Sequence, residues 1–231
     1  MVPAKNESQR LPRLLTSLSR QDYPRLADTK VFVADAGSTD GTAAIAELCA
    51  ARLNLQLETI PGGLPAAGRN AGARRAATQY VLFLDADVEL GDETLLRRAV
   101  AAMQSRGLHC LTTNIRCVDG NFADRLLFGF NNCVQRASRW ASPFATGMFM
   151  LFDREEFNRL GGFDERALYA EDYLLSKQVA RPRFAVIRGT VLTSNRRFQK
   201  MGRLQIASMF LKTALNSANA NYFLRDHGYW K

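Results

Sequence analysis

The stretch that decides the fold runs from Tyr80 to Leu90 and reads YVLFLDADVEL. Its first five residues are apolar or aromatic, as in a strand buried inside a protein, and they lead into two carboxylates, Asp85 and Asp87. Residues i and i+2 of an extended segment lie on the same face, so both carboxylates project from the carboxyl end of the strand. Because ligands of open α/β sheets bind at such ends, the stretch predicts a binding site.

The paired negative charge indicates a cation. Two carboxylates held this close repel each other, and removing them from water is costly unless a cation or hydrogen-bond donors compensate. A hard divalent ion, Mn²⁺ or Mg²⁺, shared with a phosphate group would supply that compensation. The alternative is that Asp87 caps or flanks the next turn while Asp85 is solvated, which is the commoner meaning of an isolated Asp-x-Asp.

The rest of the chain alternates short apolar runs with helical patterns, which predicts an α/β sandwich whose central strands are largely parallel. Residues 30–34 (KVFVA) form one such strand, followed by a helix that Ser38 or Thr39 would cap and that ends near Leu53. One strand is in question, because the opening residues 1–3 (MVP) leave almost no room for the central strand expected before the first loop. Either that strand is lost or the chain starts further upstream.

Composition and charge narrow the class of protein. The chain has 231 residues, 47% of them hydrophobic, which is enough for a sizeable core. No apolar run reaches the ~20 residues of a membrane-spanning helix and no secretory leader opens the chain, so we expect a cytoplasmic protein. The four cysteines are irregularly spaced and fit neither a zinc site nor a disulfide scaffold. The whole net charge of +9 falls on residues 181–231, which favours an anionic partner.

Two further acidic motifs follow predicted elements. Asp35 opens a loop of small residues (DAGSTDGT) at a strand end, where it could accept a hydrogen bond from a nucleotide base or only cap the next helix. Asp172, beside Glu171, lies at the start of a predicted helix. A carboxylate at a helix N-terminus ordinarily only interacts favourably with the helix dipole. In a cleft, however, Asp172 could take a proton from an attacking hydroxyl.

Taken in order, six motifs resemble the family 2 inverting glycosyltransferases of GT-A fold over roughly residues 2 to 203. This fold is a Rossmann-like α/β/α sandwich with a mostly parallel sheet that binds a nucleotide sugar. Each motif is weak alone, and the signal comes from their order and spacing. The motifs are PAKNES (3–8), DAGSTDGT (35–42), GRNAG (68–72), DAD (85–87), GMFM with GGFDE (147–150 and 161–165) and ED (171–172).

The resemblance implies roles for individual residues in metal-dependent transfer of a sugar from a nucleotide sugar, UDP-linked rather than GDP-linked, to an acceptor hydroxyl. Asp172 would deprotonate that hydroxyl, so that configuration at the anomeric carbon inverts, and the metal would neutralise the departing diphosphate. Position 36 is alanine where many members of the family carry an acid or amide. The implied donor site comprises Pro3, Lys5 and Glu7 along the nucleoside, Asp35 on the base, Arg69 near the base or diphosphate, Arg196 and Arg197 near the diphosphate, and Asp85 with Asp87 on the metal. The alternative for Arg196 and Arg197 is a solvated basic loop.

The C-terminal stretch is predicted to be a separate element, with a glycosyltransferase domain over residues 1–203 and a basic amphipathic helical tail over residues 204–231. The helical pattern lies in LQIASMFLKTAL (204–215), and four aromatic residues follow it (Tyr222, Phe223, Tyr229 and Trp230). Such a tail could lie on the surface of an anionic membrane. The protein would then be a peripheral protein on the inner face of that membrane, where it could reach a lipid-linked acceptor. Alternatively, the stripe packs on the globule or on a second subunit.

Other functions are weighed against transfer of a sugar. A catalytically silent module that binds nucleotide or membrane is disfavoured by the three aspartates of the site, and a related nucleotidyltransferase by the absence of a glycine-rich phosphate loop near the N-terminus. The basic charge alone suggests nucleic acid as a partner, because Lys and Arg neutralise phosphates. No nucleic-acid-binding signature accompanies the charge, so we expect no such partner. The sequence leaves the sugar, the acceptor, the linkage and the oligomeric state open.

Overall fold

The computed structural model describes residues 1–217, 219–225 and 227, which form two hydrogen-bonded sheets with helices on both faces. The first sheet has the order β1-β2-β3 and is parallel throughout, and the second has the order β4-β7-β6-β8-β5. The strands are β1 (Val2–Ala4), β2 (Val31–Asp35), β3 (Leu57–Pro61), β4 (Tyr80–Phe83), β5 (Glu89–Leu90), β6 (Cys110–Cys117), β7 (Met150–Asp153) and β8 (Phe184–Thr193).

Ten α-helices connect and flank these strands within the described residues. They are α1 (Leu11–Ser19), α2 (Thr42–Leu53), α3 (Pro65–Arg75), α4 (Leu95–Arg106), α5 (Phe122–Ser138), α6 (Arg154–Arg159), α7 (Glu171–Ser176), α8 (Arg196–Met201), α9 (Arg203–Leu215) and α10 (Ala220–Phe223).

The core lies on both faces of the sheet, as the four consecutive buried apolar residues 31–34 of β2 show. Val31 and Val33 of β2 point to the face covered by α1, α2 and α4, whereas Phe32 and Ala34 point to the face covered by α3, α6 and α7. Successive side chains of a strand alternate between faces, so a continuous apolar run fits a strand covered on both sides. The predicted α/β/α sandwich is confirmed.

The first strand, whose absence the sequence suggested, is present. β1 pairs in parallel with β2 through three residues, and Val2 and Ala4 are buried. Met1 extends it, since its amine donates to the Leu82 carbonyl at 2.8 Å and its carbonyl accepts from the Leu84 amide at 3.0 Å, the pattern of a parallel pair. A very short strand suffices because it is bonded on both sides, and these bonds join the two sheets.

The expectation of a mostly parallel sheet holds for the first sheet and needs correction for the second. There β7 runs antiparallel to β4 and β6, and β5 runs antiparallel to β8, whereas β6 and β8 are parallel. Alternation of apolar runs does not encode strand direction, which the intervening connections set. Met150, where β7 begins, pairs with Phe83, where β4 ends, so the segment before β7 lies at the same edge as the Asp-x-Asp motif.

Helix α2 also begins later than predicted, because Gly41, with a φ of 80°, is its N-cap instead of Ser38 or Thr39. Glycine adopts this left-handed conformation without steric cost. The displaced Ser38 and Thr39 bond to the neighbouring loops instead. Helix α1 and strand β8 were not foreseen from the sequence.

The C-terminal segment packs on α7 through Ile206 and Met209, two residues that widen the predicted stripe, and not through its leucines. Ile206 and Met209 of α9 are buried, Met209 in a small cluster with Tyr169 and Phe223, while Leu204, Leu211 and Leu215 of the predicted stripe are exposed. None of the helices in the described part of the chain is long and apolar enough to cross a membrane. The division at residue 203 stays a prediction, and Tyr229 and Trp230 lie outside the described residues.

Candidate active site

The centre of the site is the buried guanidinium of Arg69, which projects from α3 and is 2% exposed. It donates to a carboxylate oxygen of Asp85 and to one of Glu171, both at 2.6 Å. The guanidinium also lies over the ring of Phe163, 5.3 Å from its centroid. Arg69 therefore fixes the end of β4 to the start of α7, although these elements are far apart in sequence.

Asp172 lies beside this ion-pair network at the first turn of α7. One oxygen of its carboxylate accepts from the amide of Gly147 at 2.8 Å, and the other accepts from the amide of Tyr173 at 2.7 Å. Burial of the carboxyl group and, next, the negative charge of Glu171 raise the pKa of Asp172 to about 7, while the charge of Arg69 opposes the shift. A carboxylate with such a pKa can accept a proton near neutral pH.

Two backbone features place these groups. Ala170 adopts the left-handed conformation with a φ of 52°, which costs a non-glycine residue roughly 1–2 kcal/mol and turns the chain into α7. Gly147 leaves room for the arginine, because a Cβ at position 147 would lie 2.2 Å from a terminal nitrogen of Arg69. The missing Cβ at Gly147 and the left-handed turn at Ala170 together let Asp172 lie close to the guanidinium of Arg69.

Asp87, the second carboxylate of the motif, contacts the C-terminal basic segment. Its side chain accepts from Arg196 at 3.2 Å, and the same arginine donates to Glu7 of the first loop at 2.6 Å. Burial and the charge of Asp85 raise the pKa of Asp87, while the charges of Arg197 and Arg196 lower it. Burial likewise raises the pKa of Glu7, against the opposing contact with Arg196.

The first loop is bonded to the loop after β2. Asn6, in the left-handed conformation with a φ of 55°, accepts from the Thr39 amide at 2.9 Å, and its own amide donates to the Ser38 hydroxyl at 2.9 Å. The Asp35 carboxylate in turn accepts from the amide and hydroxyl of Ser38. The two loops thus form one wall at the carboxyl ends of β1 and β2, with Lys5 exposed on it.

The structure brings together residues that the sequence only placed at separate strand and helix ends. Asp85 and Glu171 share the guanidinium of Arg69, and Asp172 follows Glu171 directly. Asp87 and Glu7 both accept from Arg196. Pro3 lies in β1, next to this edge, and pairs with Ala34.

The predicted place of Arg69 near the base or diphosphate stays a prediction. Direct contact with a base or diphosphate does not fit a side chain that is almost fully buried and bonded to two carboxylates, whereas a positioning role does. Glu171, Gly147 and Asn6 lie within the six motifs but have no individual role in the prediction from sequence. Their signals were weak in the sequence, because an acid beside Asp172, a glycine in a loop and an asparagine before a helix have many ordinary explanations.

Residues 1–161, about two thirds of the chain, match Glycosyl transferase family 2. The chain belongs to this family. The match contains the Asp-x-Asp motif and Arg69, while Asp172 and Arg196 lie beyond its end.

Curated proteins of known sequence show the same likeness. The poly(ribitol-phosphate) beta-N-acetylglucosaminyltransferase TarS of Staphylococcus aureus (strain Mu50) is 35% identical over 131 residues, which cover 55% of this chain and 22% of TarS. A PGL/p-HBAD biosynthesis glycosyltransferase of Mycobacterium bovis (strain BCG / Pasteur 1173P2) is 32% identical over 147 residues, which cover 58% of this chain and 56% of that protein. The chain thus spans a fifth to about half of the length of these relatives.

Solved structures show that this family 2 chain has the GT-A fold. The mannosyltransferase PcManGT from Pyrobaculum calidifontis, in complex with GDP-Man and Mn²⁺, superposes with a TM-score of 0.71 at 24% identity, covering 93% of this chain and 63% of that one. S. aureus TarS 1–349 in complex with UDP-GlcNAc gives a TM-score of 0.64 at 23% identity, covering 84% and 57%.

Proposed function

We propose that this chain transfers a sugar from a nucleotide-sugar donor to an acceptor hydroxyl with inversion of configuration. The observation that carries the proposal is the convergence at one sheet edge of two kinds of carboxylate. Asp85 and Asp87 form a pair of negative charges that suits a divalent cation shared with a diphosphate. Asp172 is joined to this pair through Glu171 and Arg69 and has a pKa suited to a base.

Asp85 and Asp87 fit a divalent cation by their chemistry. They are hard oxygen donors, and the negative charge of Asp85 raises the pKa of Asp87, so a nearby positive charge would relieve their repulsion. Within the described part of the chain, no three His, Cys, Asp or Glu side chains are arranged to hold a metal. Two carboxylates nevertheless suffice for Mn²⁺ or Mg²⁺, which is often held by one or two carboxylates together with substrate phosphates. When bound, the cation would neutralise charge that develops on the leaving diphosphate.

The chain's own residues would perform the remaining tasks. Asp172 accepts the proton of the acceptor hydroxyl, and the amides of Gly147 and Tyr173 hold its carboxylate in place. The wall formed by Pro3, Lys5, Glu7 and Asp35 lies along the nucleoside, with Asp35 toward the base. Arg196 and Arg197 offer positive charge to the diphosphate, for which arginine is well suited.

The donor is proposed to be UDP-linked and the acceptor a lipid-linked or cell-envelope glycan. TarS, whose name gives poly(ribitol-phosphate) as its acceptor and which was solved with UDP-GlcNAc, supports this choice. The GDP-Man complex of PcManGT makes GDP the alternative. The tail is proposed to contact an anionic membrane peripherally on its inner face, which the exposed Leu204, Leu211 and Leu215 beside Lys212 support.

The proposal is tested by incubating the protein with a panel of UDP- and GDP-sugars, Mn²⁺ or Mg²⁺, and sugar and lipid acceptors, and measuring free nucleoside diphosphate. Release with one donor, dependent on acceptor and metal, is the expected result. No release with any donor, while a nucleoside diphosphate still binds in calorimetry, would replace the proposal with a catalytically silent binding module.

A further inference from the structure

Helix α5 has its polar and apolar sides reversed relative to a helix that packs on a protein core. Its buried residues are polar or charged: Asp124, Asn131, Gln135 and Ser138. Its exposed positions include large apolar side chains, among them Phe122, Leu126 (63% exposed), Phe130 (64%) and Val134. A contiguous apolar face left in water marks an interaction surface more often than chance exposure does.

The exposed side of α5 divides into two sectors. At 100° per residue, residues 122, 126, 130, 133 and 134 fall within about 120° of the helix circumference. Arg125, Arg136 and Arg139 fall together on one flank of this sector, over about 60°. Among residues 122–140, all of which the structure describes, the single acidic side chain is Asp124, which is buried and bonded to Arg203. The outer surface of α5 is therefore apolar and cationic.

The end of α5 extends this surface. Trp140 is exposed, and the guanidinium of Arg139 lies over its ring at 4.1 Å from the centroid. Tryptophan and arginine both place an apolar body and a polar or charged group side by side, which suits the boundary between lipid headgroups and acyl chains. We call residues 122–140, with these exposed apolar and arginine side chains, the α5 face.

The inner side of α5 connects the α5 face to the site. Gln135 accepts from the amide of Thr146 at 3.2 Å, and Thr146 directly precedes Gly147, whose amide contacts Asp172. At the other end of the helix, Asp124 binds Arg203 at the beginning of α9. A body lying on the α5 face would thus be one helix diameter away from the segment that holds the proposed base.

Charge decides between the two occupants that an apolar face admits. In a symmetric dimer built on this face, the same patch would meet itself and would bring two sets of three arginines together without an acidic partner on the helix. An anionic lipid surface offers instead negative headgroups for the arginine flank and acyl chains for the apolar sector. The charge pattern therefore favours a membrane over a second copy.

We propose that the α5 face is a membrane-docking surface that binds anionic phospholipid, separate from the C-terminal tail. Leu126, Phe130 and Trp140 insert at the interface, and Arg125, Arg136 and Arg139 contact headgroup phosphates. Docking needs neither donor nor catalysis, so it stands or falls independently of sugar transfer.

The test is co-sedimentation of the full chain with vesicles of phosphatidylcholine and phosphatidylglycerol, and with phosphatidylcholine alone. Wild type is expected to bind the anionic vesicles and to bind less at high salt. Leu126→Glu with Phe130→Glu should weaken binding at least about tenfold, equivalent to about 1.4 kcal/mol. The matched control is Leu48→Glu, which alters a leucine of 61% exposure on α2 and should leave binding unchanged. Circular dichroism confirms that each variant is folded.

A second pair of variants separates this surface from the tail. Leu211→Glu with Leu215→Glu alters exposed leucines of α9 that belong to the proposed membrane contact of the tail, so this variant should also weaken binding. Because the two surfaces are separate, combining its changes with those of the α5 variant should weaken binding further than either set alone. The proposal is wrong if wild type does not bind anionic vesicles, if the α5 variant binds like wild type, or if the α5 changes add nothing to the loss caused by the α9 variant. It is also wrong if wild type is a dimer that the α5 variant converts to monomer.

Cys133 gives a direct readout, because it is exposed and lies within the apolar sector, whereas Cys110 and Cys117 are buried. In a Cys49→Ala background, an environment-sensitive fluorophore on Cys133 should shift to shorter wavelength and gain intensity when anionic vesicles are added. An unchanged spectrum while the protein sediments with vesicles would place the docking surface elsewhere and overturn the proposal.

Discussion

Replacing Arg69 with methionine is expected to destabilise the protein strongly, because two carboxylates depend on this one guanidinium. Methionine keeps much of the side-chain volume but removes both charge-assisted hydrogen bonds, to Asp85 and to Glu171 at 2.6 Å each. The Glu171 side chain is only 5% exposed, so its charge would remain inside the protein without a partner. The Asp85 side chain is partly exposed, so water can solvate its charge and the loss of its ion pair with Arg69 would cost less stability.

The magnitude follows from these two contacts. Leaving a buried ion without its partner costs about 3–5 kcal/mol, and the partly solvated contact with Asp85 adds about 1 kcal/mol or less. We therefore expect Arg69→Met to lower the free energy of unfolding by about 4 kcal/mol. In a chain of this size, that corresponds to a fall in melting temperature of roughly 10 °C.

Urea unfolding followed by circular dichroism at neutral pH measures this loss. Arg74→Met is the matched control on the same helix, since Arg74 is exposed and its contact with Glu165 is 3.4 Å long. This control should lose less than about 1 kcal/mol. The double variant Arg69→Met with Glu171→Gln should recover at least about 1 kcal/mol relative to the sum of the single changes, because the buried charge is gone.

A loss of under about 1 kcal/mol for Arg69→Met, or additive effects of Arg69→Met and Glu171→Gln, would refute the reasoning. Either result would mean that Glu171 is solvated or neutral when the arginine is absent. The network would then not be what fixes α7 to β4.

Three other predictions follow from the same geometry. Turnover should rise with pH and level off above a pH of about 7, because protonated Asp172 cannot accept a proton; a profile that is flat from pH 5 to 9 would contradict its assignment as base. Asp87→Asn should raise the Mn²⁺ concentration needed for half-maximal turnover by at least about tenfold, measured by metal titration, and an unchanged requirement would place the metal elsewhere. Gly147→Ala should lower the free energy of unfolding in urea by roughly 1–3 kcal/mol, because its Cβ would meet Arg69. The control Gly129→Ala, with open space around the added Cβ, should stabilise the protein by about 0.5–1 kcal/mol. Equal effects of the two changes would show that the arginine can move aside.

The sequence predicted the elements that periodicity encodes strongly. The apolar runs of β2 and β4, and the carboxylates that follow them, lie where a buried strand in an α/β sheet would place them. Strand direction in the second sheet could not be read in this way, because β7 has the same apolar pattern whether it runs parallel or antiparallel. β1 was doubted because three residues are short for a strand, and only its two bonded neighbours make it stable.

Individual site residues were predictable where their chemistry was unusual, and contacts between distant segments were not. The Asp-x-Asp motif after an apolar strand stood out, whereas the pairing of Arg69 with Glu171 joins residues 102 positions apart. The close approach at Gly147 depends on the direction of β7, which the pattern does not contain. The reversed polarity of α5 was hidden too, because its apolar spacing is the same whether that side faces core or solvent.

The central claim is that Asp172 activates the acceptor while other residues hold the donor, and turnover by Asp172→Asn at saturating donor tests it most directly. We predict that acceptor-dependent release of nucleoside diphosphate falls by about 10²–10⁴-fold, while the donor dissociation constant from calorimetry stays close to that of wild type. Turnover within a factor of a few of wild type would contradict the account.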